Sequence, residues 1–464
     1  MSISRRLGLV VSLSVVLGAP AQAQAPQPPV ALPSPLPLFP ADNWWNTDVS
    51  AAPVDPNSAN FVSFIGAATG MHPDFGGDDP GVANGIYGMI YAVVPGTQPL
   101  EVVDFSTGYP AESDPGAPGR PAGYPIPVGA RAEPKWIEGG QPGGGPGGDR
   151  HMLLVDKDRR ILFELYATRW DAVAGKWRAD SGAVFLLDAN GRRPEGWTSA
   201  DAAGLAILPG LVRYDEAFGV DPIRHAFRVT LDFTKGYVFP ASHDASTSGN
   251  ANALPLGGRL RLKASKDISG YPTAVQKIFQ AMKTYGLIVA DNGSDMYISG
   301  AYDTRWNNDV LNPAFAALKA SDFEVVERGW RPPVVTVTGP TSFYTLTPCR
   351  LLDTRLAAGP YGAPAVPAGS DRVVVAPGRC GIPATALALS VNLTAVTPGT
   401  AGNLRLFPAD ASAPNTSTLN FSPGLTRANN AIVMLASSGS GSVAVRNSAA
   451  VGVDVVIDVN GYFQ

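Results

Sequence analysis

Apolar and polar positions alternate most sharply across residues 223–243, where two strand-length stretches follow one another. In 223–233, His225, Phe227, Val229, Leu231 and Phe233 fall on one face, and Arg224, Arg228 and Asp232 on the other. In 237–243, Tyr237, Phe239, Ala241 and His243 share a face. Both histidines are thereby placed on the apolar side of a sheet, where an imidazole needs a hydrogen bond, a carboxylate or a metal. The pattern recurs at 149–155, with His151, Leu153 and Val155 on one face. That stretch runs through a turn at 156–159 into 161–166, which predicts a hairpin. Glu164 lies inside the second strand, where a buried carboxylate calls for a basic partner.

Further strand-like runs occupy 88–94, 100–105, 260–263, 287–290 and 323–326. The period changes at Val275, Ile278, Phe279, Met282 and Tyr285, whose 3–4 spacing predicts a helix over 272–285 ended by Gly286. Shorter helices are expected at 199–205, capped by Thr198 or Ser199, and at 311–318. Loops rich in glycine and proline fill 112–148. The glycine run at 143–148 precedes a strand rather than a helix, so it does not read as a phosphate-binding loop. Residues 331–342 form a Pro/Val/Thr linker. Beyond it, short Val/Ala/Leu/Thr runs split by Gly, Pro and Ser predict a small sandwich. The expected fold class is mainly β: a β-rich N-terminal domain over 39–330, sandwich or barrel-like with one substantial helix, then a C-terminal β-sandwich module over 343–464.

Composition supports this division. A chain of 464 residues exceeds one ordinary core, and 16% charged residues with 51 glycines and 43 prolines favour a loop-rich β architecture. A net charge of −4 gives no electrostatic footprint for nucleic acid. Residues 1–25 have the charged start, apolar stretch and small-residue cleavage site of a signal peptide, followed by an extended, unpacked Pro-rich leader at 26–38. No later run is long enough to span a bilayer, so the expected protein is secreted, or extracytoplasmic. There, Cys349 and Cys380 are most simply one disulfide. Of the adjacent Trp44 and Trp45, at least one is expected to plug the core rather than stack on a sugar.

The chain has four histidines. His151, His225 and His243 each sit at the end of a strand-like segment near an Asp or Arg. Brought together, three imidazoles would bind Zn²⁺ or Cu²⁺ with one position open. Alternatively one would act as a general base, with Arg150, Arg224 or Arg228 neutralising a substrate carboxylate, as in a uronate lyase. Histidines bonded to main-chain carbonyls within the core are the competing account. His72, on a loop, is a weaker candidate. Asp291, Asp295, Asp303 and Asp309 can hold Ca²⁺ or supply a carboxylate pair for glycoside hydrolysis, but their spacing reads better as solvated turns. Ser242, His243 and Asp244 are consecutive and so do not form a triad.

Two resemblances add to this. His72-Pro-Asp-Phe-Gly76, Glu112-Ser-Asp-Pro115, Tyr124-Pro-Ile-Pro127, Gly148-Asp-Arg-His151, Gly196-Trp-Thr-Ser-Ala-Asp-Ala-Ala-Gly-Leu205, Ile223-Arg-His-Ala226 and Ala290-Asp-Asn-Gly-Ser-Asp295 resemble an uncharacterised family of secreted bacterial proteins. Thr347-Pro-Cys-Arg-Leu-Leu-Asp-Thr-Arg355, Cys380-Gly-Ile-Pro383, Val391-Asn-Leu-Thr-Ala395, Ser417-Thr-Leu-Asn-Phe421, Arg427-Ala-Asn429 and Asp458-Val-Asn-Gly-Tyr-Phe463 resemble an accessory β module found at the ends of exported bacterial hydrolases and surface proteins. The second likeness implies an attachment or binding role. The expectation is therefore a secreted carbohydrate-active enzyme, a polysaccharide lyase or hydrolase. Its catalytic or metal-binding residues would be His151, His225 and His243, with Arg150 and Arg228 on anionic groups. The alternative is a non-catalytic surface protein. In either case the partner is an extracellular polysaccharide or a cell-surface glycan.

Overall fold

The two largest hydrophobic clusters among the described residues draw on residues between Leu32 and Val325 and on residues between Leu351 and Val459. The computed structural model describes residues 31–332, 340–411, 413–437 and 441–464. The expected signal peptide and the start of the leader lie outside the described residues, as does most of the linker. The chain is mainly β, as its alternation predicts. The rest of the leader departs from expectation. Leu32 and Leu38 join the first core, and Arg160 clamps the segment by donating to the carbonyls of Ser34 and Leu38.

The first core is built on two sheets. One has six strands in the order His72–Asp74, Tyr297–Ser299, Phe227–Leu231, Leu287–Asn292, Arg259–Leu262 and Phe323–Val325. The other orders Ser181–Leu186, Ile161–Tyr166, Met152–Asp156 and Tyr91–Val94. The predicted hairpin is present in antiparallel register, with Met152 opposite Leu165 and Asp156 opposite Ile161. Its strands are buried on both faces. Leu153, Val155 and Leu162 pack into the main core, and Met152, Leu154, Phe163 and Leu165 into a second cluster with Tyr124 and Trp177. The same holds at Phe227–Leu231, where Phe227, Val229 and Leu231 are buried and so is Arg228 on the opposite side. The polar face of that strand is therefore not a solvent face.

The long helix spans Thr273–Thr284 and buries Val275, Ile278, Phe279 and Met282. Gly286 follows with φ 75°, the left-handed geometry that a helix stop requires. Trp44 and Trp45 are both buried. The helix expected near 311–318 runs Asn308–Ala316, started by the Asn307 side chain accepting from Asp309 N. A helix at Ser58–Ile65 has no counterpart in the sequence reading.

Two expectations fail locally. Residues 199–205 form no helix. Ser199 Oγ donates to the Leu205 carbonyl and accepts from Asp201 N, and Gly204 takes φ 74° with Ser242 Oγ where a Cβ would stand. These short side-chain bonds to the main chain compete with helical ones. The second strand of the opening pattern is Thr234–Tyr237 and stops before His243, because Pro240 has no N–H to continue a ladder.

The C-terminal region is a sandwich of two four-stranded antiparallel sheets. Phe343–Asp353, Asp454–Phe463, Ala388–Val396 and Arg427–Met434 form one; Asp371–Val375, Ser442–Asn447, Gly402–Pro408 and Leu419–Phe421 form the other. Cys349 and Cys380 are disulfide-bonded, with Cα atoms 5.7 Å apart.

Candidate functional site

The chemistry collects around Arg228, at one side of the six-stranded sheet. On the neighbouring strands, Ser299 stands opposite Asp74 and Val229 opposite Ile298. On the other neighbour, Val229 pairs with Val289 but Thr230 pairs with Asp291, so Ala290 is an extra residue in the ladder. Such a bulge re-aims the side chain that follows it. Here it brings Asp291 Oδ2 to 3.5 Å from Arg228 Nη2. The Ala290 carbonyl accepts from Ala203 N, which ties the irregular 199–204 segment over the sheet.

That segment delivers Asp201. Its Oδ2 and Oδ1 accept from Arg228 Nε and Nη2 at 3.1 and 2.7 Å, and Arg228 Nη1 donates to Ser299 Oγ at 2.5 Å. The Arg228 side chain is 4% exposed and that of Asp201 is fully buried. Each nitrogen of this buried guanidinium donates one hydrogen bond, and Asp201 compensates its charge. Arg228 therefore does not offer a fork to a substrate carboxylate, and the anion-binding role expected of it is corrected.

His151 is buried beside this pair. Its Nδ1 meets Glu138 Oε2 at 2.7 Å and its Nε2 meets the Ala200 carbonyl at 3.0 Å. His151 N donates to the same Glu138 oxygen. Burial works against the imidazolium, but the charge and hydrogen bond of Glu138 prevail and raise His151 to about 9. Burial likewise opposes ionisation of Glu138, yet His151 and Arg228 hold its carboxyl below the ordinary value. Asp291 is shifted the other way. Burial and the charge of Asp201 push its carboxyl up against the pull of Arg228. Both carboxylates reach solvent, with 21% of the Glu138 side chain and 28% of the Asp291 side chain exposed. Asp74, half-buried nearby, is also raised by burial.

The remaining expected residues lie apart from this arrangement or serve the fold. His225 Nδ1 faces the Ala226 carbonyl at 2.9 Å, and its Nε2 faces Glu216 at 3.0 Å. Glu216 also pairs with Arg213, and these two partners hold it at about 2 against its burial. His243 Nδ1 donates to the Ala202 carbonyl at 2.8 Å, leaving Nε2 3.8 Å from Glu112. His72 stacks on Tyr297 with centroids 4.4 Å apart. The expected three-imidazole Zn²⁺ or Cu²⁺ centre is therefore not formed. All three rings are bound to main-chain oxygens, and among the described residues no three His, Cys, Asp or Glu side chains gather to hold a metal ion. Arg150 has φ 51°, and its Nε is buried without a hydrogen bond. Glu164 finds no basic partner either; it accepts from Ile207 N and Leu208 N, and burial raises it to about 7.

Tyrosines border the carboxylates. Tyr109 is 46% exposed with its ring edge-on to His243, and the half-buried Tyr166 ring is 5.4 Å from His151. Sequence reasoning did not single out Glu138 and Asp201 and read Asp291 as a turn residue. The one available signal for Glu138 is an acid following Trp136-Ile137, both buried, within a glycine-rich loop.

No family model matches the chain, and no curated protein matches it. Among solved structures, the Tobacco streak virus coat protein is similar over 28% of this chain and 87% of its own. The identity is 11% and the TM-score 0.17, too low to bear on fold or function.

Proposed function

We propose that the chain is a secreted carbohydrate-active enzyme whose first domain cleaves glycosidic bonds by general acid–base catalysis with two carboxyl groups. Asp291, held protonated, is the acid that protonates the leaving oxygen. Glu138, held ionised, is the base that takes a proton from water. The observation that carries this reading is the opposite displacement of two solvent-reaching carboxyls, Asp291 3.5 Å from the buried Arg228 guanidinium and Glu138 bound to His151. Two carboxyls given unlike proton affinities by their surroundings are what glycoside hydrolysis requires. Both bonds from His151 fall on Glu138 Oε2, which leaves Oε1 for water. His151 and Arg228 are thus positioning groups. Of the two enzyme classes expected, hydrolase is favoured by the two carboxyls of unlike proton affinity.

The second domain is read as the glycan-attachment module. Register aligns Arg350, Asp458, Asn392 and Asn430 in one row across its first sheet, a polar strip suited to sugar hydroxyls. The competing reading, a non-catalytic glycan-binding surface protein, draws on the main-chain bonds of His151, His225 and His243. Release of reducing ends from a polysaccharide panel by the mature chain tests the choice. Turnover lost in Glu138→Gln supports the enzyme; binding without any turnover supports the surface protein.

A further inference from the structure

We infer that a second binding site, separate from the carboxyl pair, lies between the two domains and takes an amphipathic monoanion, an apolar chain ending in a carboxylate. A cavity of about 1190 Å³ opens there. Its walls are mainly apolar: Trp44, Phe239 and Trp330 from the first domain face Ile432, Met434 and Phe463 from the second. Ile432 and Met434 are 68% and 42% exposed, so the sandwich turns large apolar side chains to this space rather than to its own core. Apolar walls with a few placed polar groups are the usual form of a small-molecule site.

Arg259 supplies the polar group. It lines the cavity, is 9% exposed and donates only to main-chain carbonyls, those of Trp44, Thr47 and Tyr285. Two residues along the same strand, Arg261 clamps the carbonyls of Val49, Ser50 and Ala52 in the same manner, but it also pairs with Glu324. Among the described residues no carboxylate pairs with Arg259. The Tyr285 carbonyl, just past the long helix, brings the partial charge of a helix end and not a full counter-charge. Burial, which no acid offsets, accordingly lowers Arg259 to about 10. A buried guanidinium left in this state is completed by an anion that accepts its remaining hydrogens. Trp44, on the same wall, has its Nε1 buried without a hydrogen-bond partner, a second donor for the same head group. The acids on the walls limit the charge of the ligand. Glu327 and Asp410 are exposed and Asp42 is half-buried, so a polyanion is repelled. A single carboxylate reaches Arg259 and leaves its apolar chain to the rings.

Equilibrium dialysis of the mature, disulfide-bonded chain against radiolabelled dodecanoate and dodecanol at neutral pH, each below its aggregation concentration, tests this. The expected result is one dodecanoate per chain, bound at least about tenfold more tightly than the alcohol. Arg259→Met should erase that preference. Ile432→Glu, on the exposed wall of the second domain, disturbs no buried bond and should weaken dodecanoate by a similar factor, so the test stands even where Arg259→Met fails to fold. Equal affinity for acid and alcohol, binding of neither, or dodecanoate binding undiminished in Ile432→Glu would each overturn the inference. None of these readouts depends on hydrolysis, so the acid–base reading of the first domain stands or falls separately.

Discussion

Arg228 and Asp201 form a closed pair, two parallel hydrogen bonds between side chains that water does not reach. The pair contributes to the proton affinities of two neighbouring carboxyls. The Asp201 charge adds to burial in raising Asp291, and the Arg228 charge aids His151 in lowering Glu138. A buried network that compensates itself can thereby tune two groups that touch solvent.

Breaking the pair from one side leaves an unpaired buried charge. Asp201→Asn is expected to lower unfolding free energy by about 3–5 kcal/mol, and Arg228→Met by a similar amount. The double variant Asp201→Leu/Arg228→Met should recover most of that loss, because neither charge is then stranded. Urea titration of the three variants measures this. A single variant as stable as the parent chain would show that the pair is not closed.

Alkaline pH should loosen the first domain. His151 is raised to about 9 from an ordinary 6.5, so its pair with Glu138 contributes fully below pH 6.5 and fades as pH climbs through 9. The loss is at most about 3 kcal/mol, at 1.36 kcal/mol per pH unit of displacement. Glu164, raised to about 7 from 4.5, fades in the same direction over a lower window. Denaturant midpoints recorded from pH 6 upward check this. In His151→Gln the slope above pH 6.5 should flatten.

The disulfide constrains only the second core. Closing a loop over a separation of 31 residues is worth about 3 kcal/mol in the chain-entropy model. The Cys349→Ser/Cys380→Ser variant should therefore lower the thermal transition of the second domain and leave that of the first in place. Calorimetry resolves the two. An equal downward shift of both would mean that the cores unfold as one.

The strand Ile161–Tyr166, buried on both faces, was legible from its apolar run after a turn, and the helix Thr273–Thr284 from its one buried face. The candidate site was less so. Period-two reasoning placed Arg228 opposite Phe227 and Val229 correctly, but it made Arg228 an anion-binding group because it cannot see the 199–204 segment that brings Asp201 to it. That segment was expected to be helical, yet serine bonds to the main chain and the left-handed Gly204 make it a cover instead. Asp291 depended on a bulge at Ala290, which leaves no mark in the alternation. The histidines stood out by scarcity, although each also binds a backbone carbonyl, which no side-chain pattern encodes.

The pH dependence of hydrolysis in the parent chain and in Asp291→Asn bears most directly on the carboxyl pair. The parent chain should give a bell, its acid limb set by protonation of Glu138 and its alkaline limb by ionisation of Asp291. Asp291→Asn should fold with unchanged circular dichroism and lose about a hundredfold or more in kcat, and its alkaline limb should vanish. Activity within about twofold of the parent chain, with the alkaline limb intact, would contradict the assignment of Asp291 as the acid.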